Sequence, residues 1–212
     1  MAPPSILLIG KVGQVGWELR RTLAPMARVT CVDFPDIDLT RGDSIRQWVR
    51  ETRPNIVINA AAYTAVDKAE AEPDLAMRVN GEGARAVAAA AARTGRPVVQ
   101  VSTDYVFDGA LDRPYCEDDP VGPLGVYGRS KLAGETAVAA ANARHIIART
   151  AWVYSPFGHN FLKTMLRLGL TRDEVGVVAD QWGAPTSALD LADALIAMAR
   201  RLVGEPVAWN AP

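Results

Sequence analysis

The chain has 212 residues, 49% hydrophobic and 22% charged, with 23 Lys and Arg against 24 Asp and Glu for a net charge of -1. That balance excludes a disordered chain and leaves no basic stripe for nucleic acid or an anionic membrane. Cys31 and Cys116 are too few for a disulfide framework, and no stretch reaches the roughly 18 apolar residues of a membrane span. No basic leader precedes the first apolar run, so the expectation is a reduced, cytoplasmic compartment and one domain, or one domain plus a small lobe.

Strand-like and helix-like segments alternate along the chain. Residues 6–9 form a wholly apolar run, which suits a strand buried on both faces. A Gly-rich turn follows, then a helical pattern over 17–23 and a second strand over 29–32 that ends at Asp33. Residues 44–52 read as a helix with Asp43 or Ser44 as its cap. Residues 56–58 read as a strand, 73–93 as one long helix, 98–101 as a strand and 131–141 as an Ala-rich helix. Residues 145–148 and 152–154 flank a strand-like run, and helical spacing follows over 161–168 and 189–202. Such alternation predicts βαβ units: an α/β, Rossmann-like, doubly wound parallel sheet with helices on both faces. The Pro/Gly-rich segment 112–128 comes nearest to a domain boundary.

Three clusters carry chemistry. The first is Gly10-Lys11-Val12-Gly13-Gln14-Val15-Gly16, directly after the first strand and opening a helix. Glycines let the backbone turn sharply and approach a pyrophosphate, which the helix N-terminus attracts. The spacing is G-x-x-G-x-x-G, not the G-x-G-x-x-G of the dinucleotide pattern, so a plain strand-to-helix turn competes with this reading. Asp33, ending the second strand, is placed to hydrogen-bond adenosine ribose hydroxyls and to repel a 2′-phosphate. Lys11 offers an offsetting charge, which leaves NADH and NADPH both open. The second cluster is Tyr127-Gly128-Arg129-Ser130-Lys131, a Y-x-x-x-K pair on one helix side. Its Tyr is a candidate proton donor and its Lys the cation that brings the Tyr pKa down. An exposed helix pair is the competing reading. The third cluster is Ser102-Thr103-Asp104-Tyr105 after the strand at 98–101, where open α/β sheets bind ligands.

In this order the clusters resemble the dTDP-4-dehydrorhamnose reductase family of the extended short-chain dehydrogenase/reductases. The matching stretches are GKVGQVGWEL at 10–19, RPNIVINAAAYTAVDKAE at 53–70, VSTDYVFDG at 101–109 and VYGRSKLAGE at 126–135. RTAWVY at 149–154, NFLKTMLRL at 160–168 and DQWGAPT at 180–186 complete the likeness over nearly the whole chain. The resemblance implies NADPH or NADH as cofactor, lined by Gly10, Gly13, Gln14 and Val15 at the pyrophosphate and by Asp33, Asp38 and Leu39 at the adenosine end. Ala62, Tyr63 and Thr64 would pass beside the cofactor at the end of the fourth strand. Thr103 and Asp104 would touch a dTDP-sugar, and Trp152 would pack near its deoxysugar ring. Thr103, Tyr127 and Lys131 would be the catalytic set, reducing the C4 keto group of dTDP-4-dehydro-L-rhamnose to dTDP-L-rhamnose.

The resemblance further implies a cofactor domain over 1–150 and part of a substrate lobe over 151–212, shortened at the C-terminus, where 207–212 looks like the start of a further strand. A homodimer is the candidate assembly. No metal is expected: His145 and His159 lack ligand spacing, and Glu18, which matches a magnesium-contacting glutamate of some relatives, reads as an exposed helix residue. Cys116 reads as a bystander thiol and Trp182 as a core filler. The alternative function is a non-catalytic NAD(P)-binding subunit, like the regulatory subunit of methionine adenosyltransferase, or an inactive fragment.

Overall fold

The computed structural model describes residues 3–203. Strand β1 (Ser5–Ile9) is buried along its whole length and so requires cover on both faces. It lies between β2 (Arg28–Val32) and β3 (Ile56–Asn59), with β4 (Val98–Thr103) and β5 (His145–Thr150) beyond β3. All pairs are parallel, in the order β2-β1-β3-β4-β5. The connections hold α1 (Gln14–Leu23), α2 (Gly42–Thr52), α3 (Val66–Ala71), α4 (Pro73–Met77), α5 (Ala84–Arg93) and α6 (Val126–Ala141). After β5 come a two-stranded parallel pair, β6 (Val153–Tyr154) with β7 (Thr186–Ser187), and the helices α7 (Phe161–Gly169) and α8 (Ala188–Val203).

The period-2 alternation of strand side chains splits the core in two. Leu7, Ile9, Val57 and Val98 face α2, α5 and α6, meeting Ile45, Val49, Val87 and Val138. Ile6, Leu8, Ile58 and Val99 face the other way, onto Leu19 and Leu23 of α1 and Leu195 and Ile196 of α8. Each fully buried aliphatic side chain contributes about 1.5–3 kcal/mol, so these rows fix the helices on both faces. The chain leaves β1 for β2 on one side and returns to β3 on the other. The resulting switch point lies at the carboxyl ends of β1 and β3, where doubly wound sheets bind ligands.

Several elements differ from the sequence reading. The run 73–93 is not one regular helix: a π-helical turn, Arg78–Gly83, separates α4 from α5. Neither Asp43 nor Ser44 caps α2, whose N-cap is Arg41 with no side-chain bond. The Ser44 hydroxyl instead accepts the Asp38 N–H at 3.1 Å. Helix α6 starts at Val126, which places Tyr127 inside its first turn and ends the segment 112–128 in helix. The middle of that segment is tied down by Arg113 on Asp119 at 2.7 Å and by Tyr115 stacked on Phe107. No helix among the described residues is long and apolar enough to cross a membrane. The run 207–212 lies outside the described residues.

Candidate active site

The glycine turn is built for two purposes. Gly10 has φ +98°, and a Cβ there would lie 2.5 Å from the Ala61 nitrogen. A Cβ on Gly16 would run into the Gly10 carbonyl oxygen. These two glycines serve the fold, letting the β1–α1 turn close on itself and against the end of β3. Gly13 does not: its φ of -69° suits any residue, and its Cβ would meet nothing nearer than the Gly10 oxygen at 3.7 Å. That Cβ would instead fill the exposed space before α1, whose first N–H groups no side chain caps. An open backbone at a free helix N-terminus suits a pyrophosphate, so the residues present fit a dinucleotide.

Asp33 stands beside this turn. Its carboxylate accepts the Val12 N–H at 3.0 Å and the Phe34 N–H at 2.9 Å. Lys11 does not offset it, because its ammonium pairs with Asp36 at 2.6 Å. The Asp38 carboxylate accepts both the Thr40 N–H and hydroxyl, which hold it below the usual carboxylate range. Leu39 is buried in the core under α5. The Gln14 side chain turns away from the cradle: its amide donates to the Val153 carbonyl and its oxygen accepts from Asn160. This links the β1–α1 turn to the segment after β5. Val15 packs on the α1–α8 side of the core.

Ala62, Tyr63 and Thr64 follow β3, the third strand of the chain and not a fourth. Tyr63 is held through its backbone. Its N–H donates to Asn80 Oδ1 at 2.8 Å, and Asn80 Nδ2 donates to its carbonyl at 3.0 Å. Its phenol turns outward to Glu72 at 2.8 Å. Asn80, buried in the π-helical turn, also donates to the Ser130 hydroxyl, which in turn donates to the Tyr127 carbonyl. One side chain thus ties the β3 loop to the start of α6. Sequence reading missed Asn80, and the widened turn that aims it inward has no periodic signature. Replacing it with Ala removes the partner of the part-buried Tyr63 N–H and C=O and of the buried Ser130 hydroxyl, and is expected to cost about 1–3 kcal/mol, read as a lower midpoint in denaturant unfolding.

The third group gathers at the end of β4. Thr103, Tyr127 and Lys131 are all buried there. The Thr103 hydroxyl donates to Asp104 Oδ1 at 3.1 Å and accepts the Tyr105 N–H at 3.2 Å. Tyr127 meets Tyr105 edge to face at 5.5 Å. Burial pushes the Tyr127 phenol up to about 12, with Asp104 and Tyr105 adding to the rise and the Thr103 hydrogen bond opposing it. The expected lowering by Lys131 is therefore reversed. Lys131 donates to the Val101 carbonyl at 2.8 Å, and its own desolvation brings it down to about 8. Burial also raises Asp104. In register with Thr103, Thr150 carries a buried hydroxyl without a partner, as does Ser102. Trp152, at φ +50°, packs edge to face on Phe161 and against Gly183.

The RmlD substrate binding domain model matches residues 4–211. The chain belongs to this family. It is 50% identical over 198 residues to dTDP-4-dehydrorhamnose reductase of Sinorhizobium fredii, covering 93% of this chain and 67% of that one. A crystal structure of the Clostridium acetobutylicum dTDP-4-dehydrorhamnose reductase superposes with a TM-score of 0.89 at 46% identity, over 92% of this chain and 69% of that one. The Bacillus anthracis dTDP-4-dehydrorhamnose reductase in complex with NADP gives 0.90 at 41% identity, over 93% and 70%. The chain thus spans about two thirds of the length of these family members.

Two sequence expectations are corrected in this family member. Glu18 is not an exposed helix residue: it is buried, and Arg21 holds its carboxylate at 3.0 Å. Trp182 does not fill the core but is 94% exposed in the loop between α7 and β7. Cys116 is exposed. Among the described residues no cluster of His, Cys, Asp and Glu could hold a metal ion.

Proposed function

We propose that the chain catalyses the NAD(P)H-dependent reduction of the C4 keto group of dTDP-4-dehydro-L-rhamnose to dTDP-L-rhamnose. The observation that carries this reading is the gathering of Thr103, Tyr127 and Lys131 at the end of β4, on the same carboxyl edge of the sheet as a glycine turn with an open helix N-terminus. The names of the relatives favour the reductase over a non-catalytic subunit.

The N–H groups of Gly13, Gln14 and Val15 would hold the pyrophosphate, and Asp33 with Asp38 and Leu39 the adenosine end. The backbone at Ala62, Tyr63 and Thr64 would pass beside the cofactor. When bound, NAD(P)H supplies the hydride. Tyr127 gives its phenolic proton to the oxygen of the keto group as negative charge develops there, so that charge is stabilised where it appears. With its phenol near 12, Tyr127 keeps that proton throughout the neutral range. Thr103 has one proton, now directed at Asp104. It turns that proton to the same substrate oxygen, exchanging one partner for another. Lys131 provides a positive charge one helical turn further on, present below its midpoint near 8, and a hydrogen bond to the nicotinamide ribose. Trp152 offers its half-exposed indole to the deoxysugar. Residues 1–150 thus carry the cofactor and catalytic groups, and the residues after them line the sugar. A homodimer and a cytoplasmic location belong to the same proposal.

Adding NADPH and dTDP-4-dehydro-L-rhamnose to the purified chain tests the reading. Substrate-dependent loss of reduced-cofactor absorbance, with dTDP-L-rhamnose as product, is expected. Tight NADPH binding without turnover would favour the non-catalytic subunit instead.

Cofactor choice has its own test. Asp33→Ser removes a ribose acceptor and a charge that opposes a 2′-phosphate. A lost hydrogen bond to a charged group is worth about 1.5–3 kcal/mol, so NADH affinity is expected to fall about tenfold or more relative to NADPH affinity. Fluorescence titration reads both; equal losses would place Asp33 away from the ribose.

A further inference from the structure

Helix α6 carries one more buried ionisable group on the side of Tyr127 and Lys131. Residues four apart share a helix face, so Tyr127, Lys131 and Glu135 form a stripe of three. All three are buried. Glu135 is gripped by Arg149 of β5 in a fork, with Nη2 to Oε2 at 2.7 Å and Nε to Oε1 at 3.0 Å. Arg149 is itself fixed from the outside. Its guanidinium lies 4.9 Å above the Phe107 ring, and Nη1 donates to the Glu117 carbonyl at 3.4 Å. The mechanism above uses neither residue.

A carboxylate this deep is costly unless paired, and a planar guanidinium fork is the partner that fixes its direction. Lys131 faces the same problem: its ammonium is buried, with the Val101 carbonyl as its hydrogen-bond acceptor. The charged and titratable groups around this stripe are Tyr127 on α6, Asp104 and Tyr105 in the turn after β4, Arg149 on β5 and, beyond Arg149, Glu117 in the segment before α6. The Glu135 charge, one turn along the same helix face, favours the Lys131 ammonium against the burial that opposes it.

We propose that the Glu135–Arg149 pair is a positioning device for Lys131. The Glu135 carboxylate supplies the negative charge that holds the Lys131 ammonium at the end of β4, and Arg149 fixes that carboxylate in place. The pair touches neither cofactor nor sugar and acts through Lys131. The inference rests on the role given to Lys131 above, but its first test does not depend on turnover.

The chain has four lysines, Lys11, Lys68, Lys131 and Lys163, so an NMR titration of protein carrying 13C at the lysine ε-carbons is readily assigned with Lys131→Met. Wild-type Lys131 is expected to titrate near pH 8. Glu135→Gln keeps the shape and removes the charge that favours the ammonium, so the midpoint moves to lower pH. NADPH binding gives the second readout. Its alkaline loss begins earlier in Glu135→Gln, with affinity several-fold weaker at pH 8.5 and unchanged at pH 6.5; a merely structural defect would weaken it equally at both. If Glu135→Gln alone strands Arg149 and fails to fold, the neutral pair Glu135→Gln with Arg149→Met removes both charges together; loss of the guanidinium, which lies on the far side of the carboxylate, opposes the effect in part, so the midpoint is expected to move the same way by less. A Lys131 midpoint equal to wild type in either folded variant overturns the proposal. A shifted midpoint in a protein without reductase activity would uphold it and refute the function instead.

Discussion

Replacing Tyr127 with Phe lowers the turnover of keto-sugar reduction by about 10²–10⁴-fold, the usual worth of a positioned general acid. The ring stays in its small cluster with Ala69 and Ala76, so folding and NADPH affinity change little. The lost phenol is buried with the hydroxyl of Thr103 as its neighbour, and the ammonium that remains in the site, Lys131, is held on the Val101 carbonyl at 2.8 Å. Thr103 already gives its proton to Asp104, and Tyr105 holds its phenol on the half-exposed side of the turn. The deficit is expected to be constant from pH 6 to pH 7, where the phenol held near 12 and the Lys131 ammonium held near 8 both keep their protons. Steady-state rates of reduced-cofactor consumption measure it. Wild-type turnover in Tyr127→Phe would mean that the proton comes from elsewhere and would sink the mechanism.

What the sequence made legible follows from how local each signal is. The run 6–9 has no polar residue, and a strand with two apolar faces has few places to go but the middle of a parallel sheet. Helix α6 and the Y-x-x-x-K pair depend on i,i+4 geometry alone, and both were readable. The failures sit where distant contacts decide. The π-helical turn arises where Asn80 reaches the β3 loop and Ser130, contacts 17 and 50 residues away in the chain. Glu18 looked like a solvated helix residue, yet it is buried with Arg21 beside it, a choice that only the surrounding tertiary packing makes. Trp182 looked like core, because a large aromatic usually is, but nothing in its own sequence neighbourhood fixes whether the loop turns it in or out. The Tyr127 pKa went astray for a related reason. Sequence showed the cation four residues on but not the burial, and burial turns out to be the larger effect.

The three glycines of the β1–α1 turn are alike in sequence and separate sharply in structure, which predicts opposite behaviour on substitution. Gly13→Val keeps an ordinary backbone angle, with open space around the new Cβ. Its cost to stability is that of a poor N-cap residue, about 1 kcal/mol or less. Its cost to cofactor binding is large, because the isopropyl group would stand in front of the helix N–H groups. Losing two hydrogen bonds to a charged phosphate, at about 1.5–3 kcal/mol each, weakens NADPH binding by about 10²-fold or more. Gly16→Ala behaves differently. Its methyl would collide with the Gly10 carbonyl, so the turn must open, and Gly10 in turn is pressed against Ala61. Overpacking of this kind costs about 1–3 kcal/mol and disturbs β1, β3 and α1 together, so stability and NADPH affinity fall in step. Thermal unfolding and fluorescence titration of the two variants separate the cases. Gly13→Val with unaltered NADPH affinity would show that the pyrophosphate does not rest on this helix N-terminus. Gly16→Ala with an unaltered melting temperature would show that the turn is looser than its close approach to Gly10 requires.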